Sequence, residues 1–327
     1  MINKLTLFFF SSPFLWGCNS KTLFQEVLPE QSGVYFENKV EQVGENNVLN
    51  YSYFFNGGGI AVGDINNDGL PDLYFSGNMT SNKLYLNKGN LVFEDITDKA
   101  GVSAKEGWKT GVLFTDINQD GWLDLYVCRS AMSDSVLREN LLFINNGDLT
   151  FSEKGREYGV GDNAYSIHAA FFDYDRDGDE DLFTLNHSLP QYAGFNRAIG
   201  NSKNKSSKKF GSKLFRNDHG HFTDVSQEAG ILHNVLSFGL GIAVSDFNQD
   251  GWPDFYVSND YNEEDYLFMN NQNGTFSNRI KESTTPVFSL STFGIAPCVI
   301  VAGCPISDST PPNDSAKANI FTLFNTP

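Results

Sequence analysis

Basic residues are scarce in this chain. Lys and Arg total 23 against 40 Asp and Glu in 327 residues, a formal charge of -17. Phosphate binding needs clustered Lys and Arg, so the balance argues against nucleic acid as a partner. It argues equally against charge-driven docking on an anionic membrane. Long apolar runs are missing too. The stretch Leu5 to Trp16 (LTLFFFSSPFLW) is only 12 residues, too short to cross a bilayer as a helix. The chain has four Cys and no CxxC, which gives no support to a zinc ribbon or a thioredoxin-like site. GxSxG, HExxH, the P-loop and the dinucleotide fingerprint are all absent. The five His (168, 187, 219, 221 and 233) are scattered, and His219-Gly220-His221 reads as turn surface. What the chain does hold is 30 Gly and 14% aromatic residues, 29 of them Phe. That is too aromatic for a disordered chain, and the Gly content points to many turns between short strands.

The first residues read as a processing signal. Lys4 precedes the apolar run, and the run has the length of a secretory h-region. It ends in Leu15-Trp16-Gly17-Cys18, which resembles the bacterial lipobox, where the Cys becomes the lipidated first residue. Trp16 departs from that pattern, whose position is usually small or β-branched. A plain cleaved signal and a buried N-terminal strand are the alternatives. Both processed readings place the protein outside the cytoplasm. Asn19 after Cys18, in place of the Asp tied to inner-membrane retention, favours an outer-membrane lipoprotein facing the periplasm or the surface. Its one membrane contact would be the N-terminal lipid. Of the remaining cysteines, Cys128 sits in an apolar run and reads as core. Cys298 and Cys304 can pair in an oxidising compartment.

A repeat dominates the rest. Asp64-Ile65-Asn66-Asn67-Asp68-Gly69-Leu70-Pro71-Asp72 recurs from Asp116 to Asp124, from Asp173 to Asp181 and from Asp246 to Asp254. The first positions are 52, 57 and 73 residues apart, and the last gap holds a basic low-complexity insertion, 201–209. That insertion reads as a solvated loop or as a contact for an anionic glycan. Each copy follows a small-residue apolar strand (Gly59 to Gly63, Gly111 to Thr115, Ala169 to Phe172, Gly241 to Ser245). Each precedes two more strands, at Leu73, Leu125, Leu182 and Phe255, then at Leu84, Leu142, Leu214 and Leu267. A fourth begins at Phe93, Phe151, Phe222 and Phe276, and three units then close on Gly101-Val102, Gly159-Val160 and Gly230-Ile231.

Four strands per unit of roughly 50 residues make a β-propeller blade. The chain is therefore expected to be all-β: an integrin-α-like propeller with four clear blades plus one degenerate or incomplete blade. Residues 1–18 are the signal, and 19–56 an N-terminal segment with a clasp strand. Residues 57–296 carry the propeller repeats. The 297–327 tail is atypical and suggests a truncated or frame-shifted end. Phe24-Gln25-Glu26-Val27, followed by Ser32-Gly33-Val34, reads as a fourth strand and closing Gly-Val that would complete the last blade.

The nine-residue loop carries the chemistry. Oxygen-bearing side chains stand at positions 1, 3, 5 and 9, and Gly at position 6 permits the sharp turn. Position 7 offers its backbone carbonyl, as in an EF-hand. The candidate ligands are Asp64, Asn66, Asp68, Leu70 and Asp72; Asp116, Asn118, Asp120, Trp122 and Asp124; Asp173, Asp175, Asp177, Asp179 and Asp181; and Asp246, Asn248, Asp250, Trp252 and Asp254. Six or seven hard oxygens suit Ca²⁺. Zinc prefers His and Cys, and Mg²⁺ keeps its waters. The bland alternative is a solvated Asp/Asn turn between two strands. Four Ca²⁺ at about 10⁻⁴ to 10⁻³ M affinity would act as structural staples rather than catalytic centres.

The run Asn56-Gly57-Gly58-Gly59-Ile60-Ala61-Val62-Gly63-Asp64-Ile65-Asn66-Asn67-Asp68-Gly69, with Asn82-Lys83-Leu84-Tyr85-Leu86-Asn87 and Phe93-Glu94-Asp95-Ile96-Thr97, resembles FG-GAP/VCBS repeat proteins. More narrowly it is similar to bacterial lipoproteins related to cartilage acidic protein, which often carry an ASPIC/UnbV domain. The resemblance implies a calcium-stabilised propeller used for extracellular binding, here of a protein or glycan ligand, and it does not imply a defined enzyme activity. The competing class is a calcium-dependent polysaccharide-processing enzyme, a lyase-like propeller. That enzyme would need a base at one unique cleft, and the sequence shows only equivalent loops. Trp108, Trp122 and Trp252 read as sugar platforms or as propeller packing, and Asn262-Glu263-Glu264-Asp265 as a solvated acidic turn.

Overall fold

A computed structural model describes residues 26–188, 207, 209–231, 234–260 and 263–283. Cys18, the Cys298 and Cys304 pair, most of the basic insertion, the degenerate fifth blade and the 297–327 tail lie outside those residues.

The four repeats fold into four antiparallel sheets of four strands each. Blade 1 is β1 (Ile60–Gly63), β2 (Asp72–Phe75), β3 (Lys83–Asn87) and β4 (Phe93–Asp95). Blade 2 is β5 (Trp108–Thr115), β6 (Asp124–Ser130), β7 (Leu141–Asn145) and β8 (Phe151–Glu153). Blade 3 is β9 (Ser166–Phe172), β10 (Asp181–Asn186), β11 (Lys213–Asp218) and β12 (His221–Asp224). Blade 4 is β13 (Gly239–Ser245), β14 (Asp254–Asn259), β15 (Tyr266–Asn270) and β16 (Phe276–Asn278). Strand order within each sheet follows chain order, so every connection is a hairpin. The chain is thus all-β with four propeller blades, and the inner strands pack in sequence, β1 beside β5, β5 beside β9, β9 beside β13.

Side chains alternate across each strand, so both faces of an internal blade must be covered. Leu125, Val127 and Phe143 of blade 2 pack on Ala61, Tyr74, Leu84 and Leu86 of blade 1. Their neighbours Tyr126, Cys128 and Leu142 pack on Ala169, Leu182 and Phe215 of blade 3. The pattern repeats between blades 3 and 4, where Phe183, Leu185 and Leu214 meet Phe255, Val257 and Phe268. Each such Val, Leu or Phe side chain contributes about 1.5–3 kcal/mol by leaving water. Cys128 is a buried free thiol in this core, as its apolar run predicts. The outer face of blade 1 differs. Ile60 and Val62 are 62% and 50% exposed, whereas Val112, the counterpart of Ile60, is 5% exposed.

Residues ahead of β1 do two jobs. Glu26 and Val27, the described end of the expected clasp strand, are not in a strand, because the chain turns at once into the short helix α1 (Pro29–Ser32). Gly33 then adopts φ +77°, and a Cβ there would lie 2.5 Å from the Phe93 carbonyl oxygen. Gly159 and Gly230 stand in the same relation to the Phe222 and Phe276 carbonyls, at 2.7 and 3.0 Å. Residues 29–34 therefore occupy the place of a closing turn ahead of blade 1, and the expected Gly-Val is found where a preceding unit would end. Further on, Tyr51, Tyr53 and Phe54 meet Trp108 and Phe238 in a separate aromatic core. It lies at the ends of the inner strands remote from the acidic loops.

Candidate metal centres

All four acidic loops sit at one end of the blades, each linking the innermost strand to the next. They share one backbone. Position 6 is Gly with φ between 83° and 99°, as the sequence requires. Position 4 is also left-handed, at Asn67, Gln119, Arg176 and Gln249, with φ of 56° to 62°. No residue pattern announces this second left-handed residue, since Asn, Arg and two Gln occupy it.

Position 1 anchors the turn from inside. Asp64 accepts the Asp68 and Gly69 N–H groups at 3.1 and 2.7 Å, and Asp116 accepts those of Asp120 and Gly121 at 3.0 and 2.8 Å. Asp173 and Asp246 do the same in the other two loops. Position 5 accepts the N–H of position 7, at 2.9 Å for Leu70, Trp122, Asp179 and Trp252 alike.

Position 9 turns out to be a structural clamp as well as a candidate ligand. Asp72, Asp124, Asp181 and Asp254 are all fully buried. One oxygen of each accepts the position-2 N–H, from Ile65, Ile117, Tyr174 or Phe247, at 2.9–3.1 Å. The other accepts the N–H of an Asn on the third strand, Asn87, Asn145, Asn217 or Asn270, at 2.7–2.8 Å. Those Asn side chains donate to the position-8 carbonyls of Pro71, Leu123, Glu180 and Pro253. The Leu-aromatic-x-Asn signature of the third strand was the available signal for this clamp. Burial, followed by the charges of the neighbouring Asp residues, raises these carboxyls. Asp72 moves to about 6, Asp124 to about 7 and Asp181 to about 8, and Asp254 moves in the same direction.

The loops differ at position 3. Asn66, Asn118 and Asn248 donate their amides to the position-5 carboxylates Asp68, Asp120 and Asp250, each at 2.9 Å. Loop 3 has Asp175 instead. The carboxylates of Asp173, Asp175 and Asp177 converge within 4.8 Å, the one such grouping of His, Cys, Asp or Glu among the described residues. A buried oxygen of Asp175 has no hydrogen-bond partner. Burial, and then the Asp177 charge, raises its carboxyl. Three converging carboxylates with an unsatisfied buried oxygen fit a hard cation, and this cluster can hold a metal ion. The Asp179 side chain turns away from the cluster and accepts the His219 N–H at 3.0 Å, leaving only its carbonyl for the ligand role expected at position 7.

The tryptophans fall into two groups. Trp108 is buried in the aromatic core, as propeller packing predicts. Trp122 and Trp252 are half-buried on the loops, Trp252 beneath the Arg176 guanidinium at 5.3 Å.

Comparison with known proteins bears on the repeat. Residues 64–127 and 246–300 match the FG-GAP-like repeat. The chain is 27% identical over 212 residues to cartilage acidic protein 1 of Xenopus tropicalis, covering 64% of this chain and 30% of that protein. It is 25% identical over 223 residues to the mouse protein of the same name (Mus musculus), covering 68% and 32%. The chain thus matches about a third of the length of these relatives. Among solved structures, an Agrocybe aegerita lectin described as specifically recognising non-reducing terminal N-acetylglucosamine aligns at 16% identity and a TM-score of 0.29. That alignment covers 66% of this chain and 64% of the lectin, and at such a score the two do not superpose as wholes. The chain therefore carries FG-GAP-like repeats and is a distant relative of cartilage acidic protein 1.

Proposed function

We propose that this chain is a non-catalytic binding module, a β-propeller held together by Ca²⁺ outside the cytoplasm, whose ligand is an extracellular protein or glycan. The observation that carries the reading is the convergence of Asp173, Asp175 and Asp177 around an unpartnered buried oxygen. The other three loops share the same backbone and lack only the third carboxylate. In loop 3 these three side chains, the Asp179 carbonyl and Asp181 would hold the ion. In the other loops the equivalents are positions 1, 3, 5, 7 and 9. A bound divalent cation supplies charge neutralisation there. It relieves the mutual repulsion of the carboxylates and ties the first two strands of each blade at one point. Anchorage through a lipid on Cys18 belongs to the same reading. Loss of fatty-acid labelling in Cys18→Ser tests it separately.

Calorimetry is expected to detect calcium uptake near millimolar concentration, with loop 3 filling first because it alone offers four Asp at positions 1, 3, 5 and 9. Asp175→Asn should remove that tightest step. Chelation should lower the Tm by several degrees, since each occupied loop stabilises by about 1 kcal/mol at millimolar calcium. No uptake, or a Tm indifferent to chelator, sinks the calcium reading. Release of unsaturated products from acidic polysaccharides by the pure protein would sink the non-catalytic one.

A further inference from the structure

The four loops are not isolated turns. Three of the four left-handed position-4 residues reach forward to the next loop. Asn67 donates its amide to the Gly121 carbonyl at 2.9 Å. Gln119 donates to the Gly178 carbonyl at 2.6 Å and to Asp179 Oδ1 at 3.3 Å. Arg176 lies over the Trp252 ring. The first two contacts land on the same atom of the repeat, the position-6 carbonyl. The peptide that carries this carbonyl is pinned at its other end too, because the N–H of position 7 donates to the position-5 carboxylate. Trp122 N–H meets Asp120 Oδ1 at 2.9 Å, and Asp179 N–H meets Asp177 Oδ1 at 2.9 Å. A neighbour's side chain thus fixes the peptide that orients the position-5 carboxylate. Arg176 acts one residue further on, at position 7 of loop 4, through the Trp252 ring, and Trp252 N–H meets Asp250 Oδ1 at 2.9 Å.

We propose that Asn67, Gln119 and Arg176 are positioning residues for cation binding, each setting the affinity of the following loop rather than its own. The inference rests on the calcium reading above. Each of these side chains acts on the loop that follows its own, in order from loop 1 to loop 4. No replacement of a ligand is needed to disturb it, because none of the three side chains belongs to the ligand set.

Asn67→Gly removes the amide arm while leaving a residue that accepts φ +56° without strain. Tb³⁺, a Ca²⁺ surrogate excited through tryptophan, serves as the probe. A Trp252→Phe background leaves Trp122 as the loop tryptophan and keeps every backbone carbonyl. The half-saturating Tb³⁺ concentration read through Trp122 should rise about fivefold in Asn67→Gly, the factor expected for one lost hydrogen bond. Gln249→Gly is the control, trimming the same position of loop 4, and should leave the Trp122 midpoint unmoved. An unchanged midpoint in Asn67→Gly overturns the positioning role while the calcium reading survives. An equal shift in Gln249→Gly overturns it also, because the effect would then be general loosening. A parent protein that takes up neither Tb³⁺ nor Ca²⁺ overturns both.

Discussion

At the scale of single residues, His187 is a buried titratable side chain outside the loops. It is 1% exposed at the end of β10, among the rings of Tyr51, Tyr53, Tyr165 and Phe238. Its Nε2 lies 3.2 Å from Ser130 Oγ and its Nδ1 2.7 Å from the Ser188 carbonyl oxygen. Nδ1 is thereby the donor. Burial drives the imidazole from 6.5 down to about 4, partly offset by that carbonyl. A lowered folded value means that below pH 6.5 the unfolded chain takes up a proton that the folded chain refuses. Stability contributed by the neutral ring is therefore present above pH 6.5 and lost as pH falls towards 4, by up to about 3 kcal/mol. The raised Asp carboxyls act in the opposite sense, so the comparison must cancel them. Urea unfolding of wild type and His187→Gln between pH 7 and pH 4 does so, because both proteins share the loops. The stability difference between them should shrink by about 3 kcal/mol over that range. Parallel profiles would mean that His187 protonates without penalty.

At the scale of elements, the strands were legible because each signal was local and repeated. Apolar residues bounded by Asp/Gly and Asn/Gly turns placed the start of all sixteen strands to within a few residues. The acidic loops were legible for the same reason, since four copies fix which positions vary. What stayed hidden were contacts between units. The position-4 bridges need two loops to be adjacent in space, and an Asn, a Gln and an Arg at one position give a repeat search no common residue to align. The short helices after the fourth strands, α2 (Thr97–Ala100), α3 (Gly155–Tyr158) and α4 (Ile280–Ser283), were hidden too, because one turn carries no periodicity. Their closing glycines were visible, but not their reason. Gly101 and Gly159 both adopt a left-handed φ, of 77° and 80°. A Cβ on Gly159 would also sit 2.7 Å from the Phe222 carbonyl of the next blade, against 3.7 Å from the Phe151 carbonyl for Gly101. Gly101→Ala should therefore cost about 1–2 kcal/mol from conformation alone. Gly159→Ala should cost more, with blades 2 and 3 forced apart. Equal losses in urea unfolding would show that the blade contact yields freely.

At the scale of the whole molecule, the blades are joined in two ways that respond to different perturbations. One is the row of acidic loops, which on the calcium reading proposed above responds to cation and ionic strength. The other is the aromatic core at the opposite end, which does not. The segment before β1 supplies that core and reaches every other blade from it. Tyr51 Oη lies 3.4 Å from Ser130 Oγ of blade 2, the Tyr51 and Tyr53 rings meet His187 beyond blade 3, and Tyr53 Oη lies 3.3 Å from Asp260 Oδ2 at the end of blade 4. Phe54, 1% exposed, fills the space against Trp108 with ring centroids 4.9 Å apart. Blades that touched only their sequence neighbours would unfold nearly independently, as linear repeats do. A segment that contacts blades 2, 3 and 4 before entering blade 1 makes their unfolding cooperative instead. Phe54→Ala should cost about 3–5 kcal/mol, the range for a large buried aromatic. It should also broaden the thermal transition, splitting it where the wild type shows one. Because the loss lies at the end remote from the loops, the stabilisation gained from added calcium should be the same in the variant as in the wild type. A calcium increment that collapses together with Phe54 would mean that the two ends of the blades are a single unit, and that the loops depend on the aromatic core for their geometry.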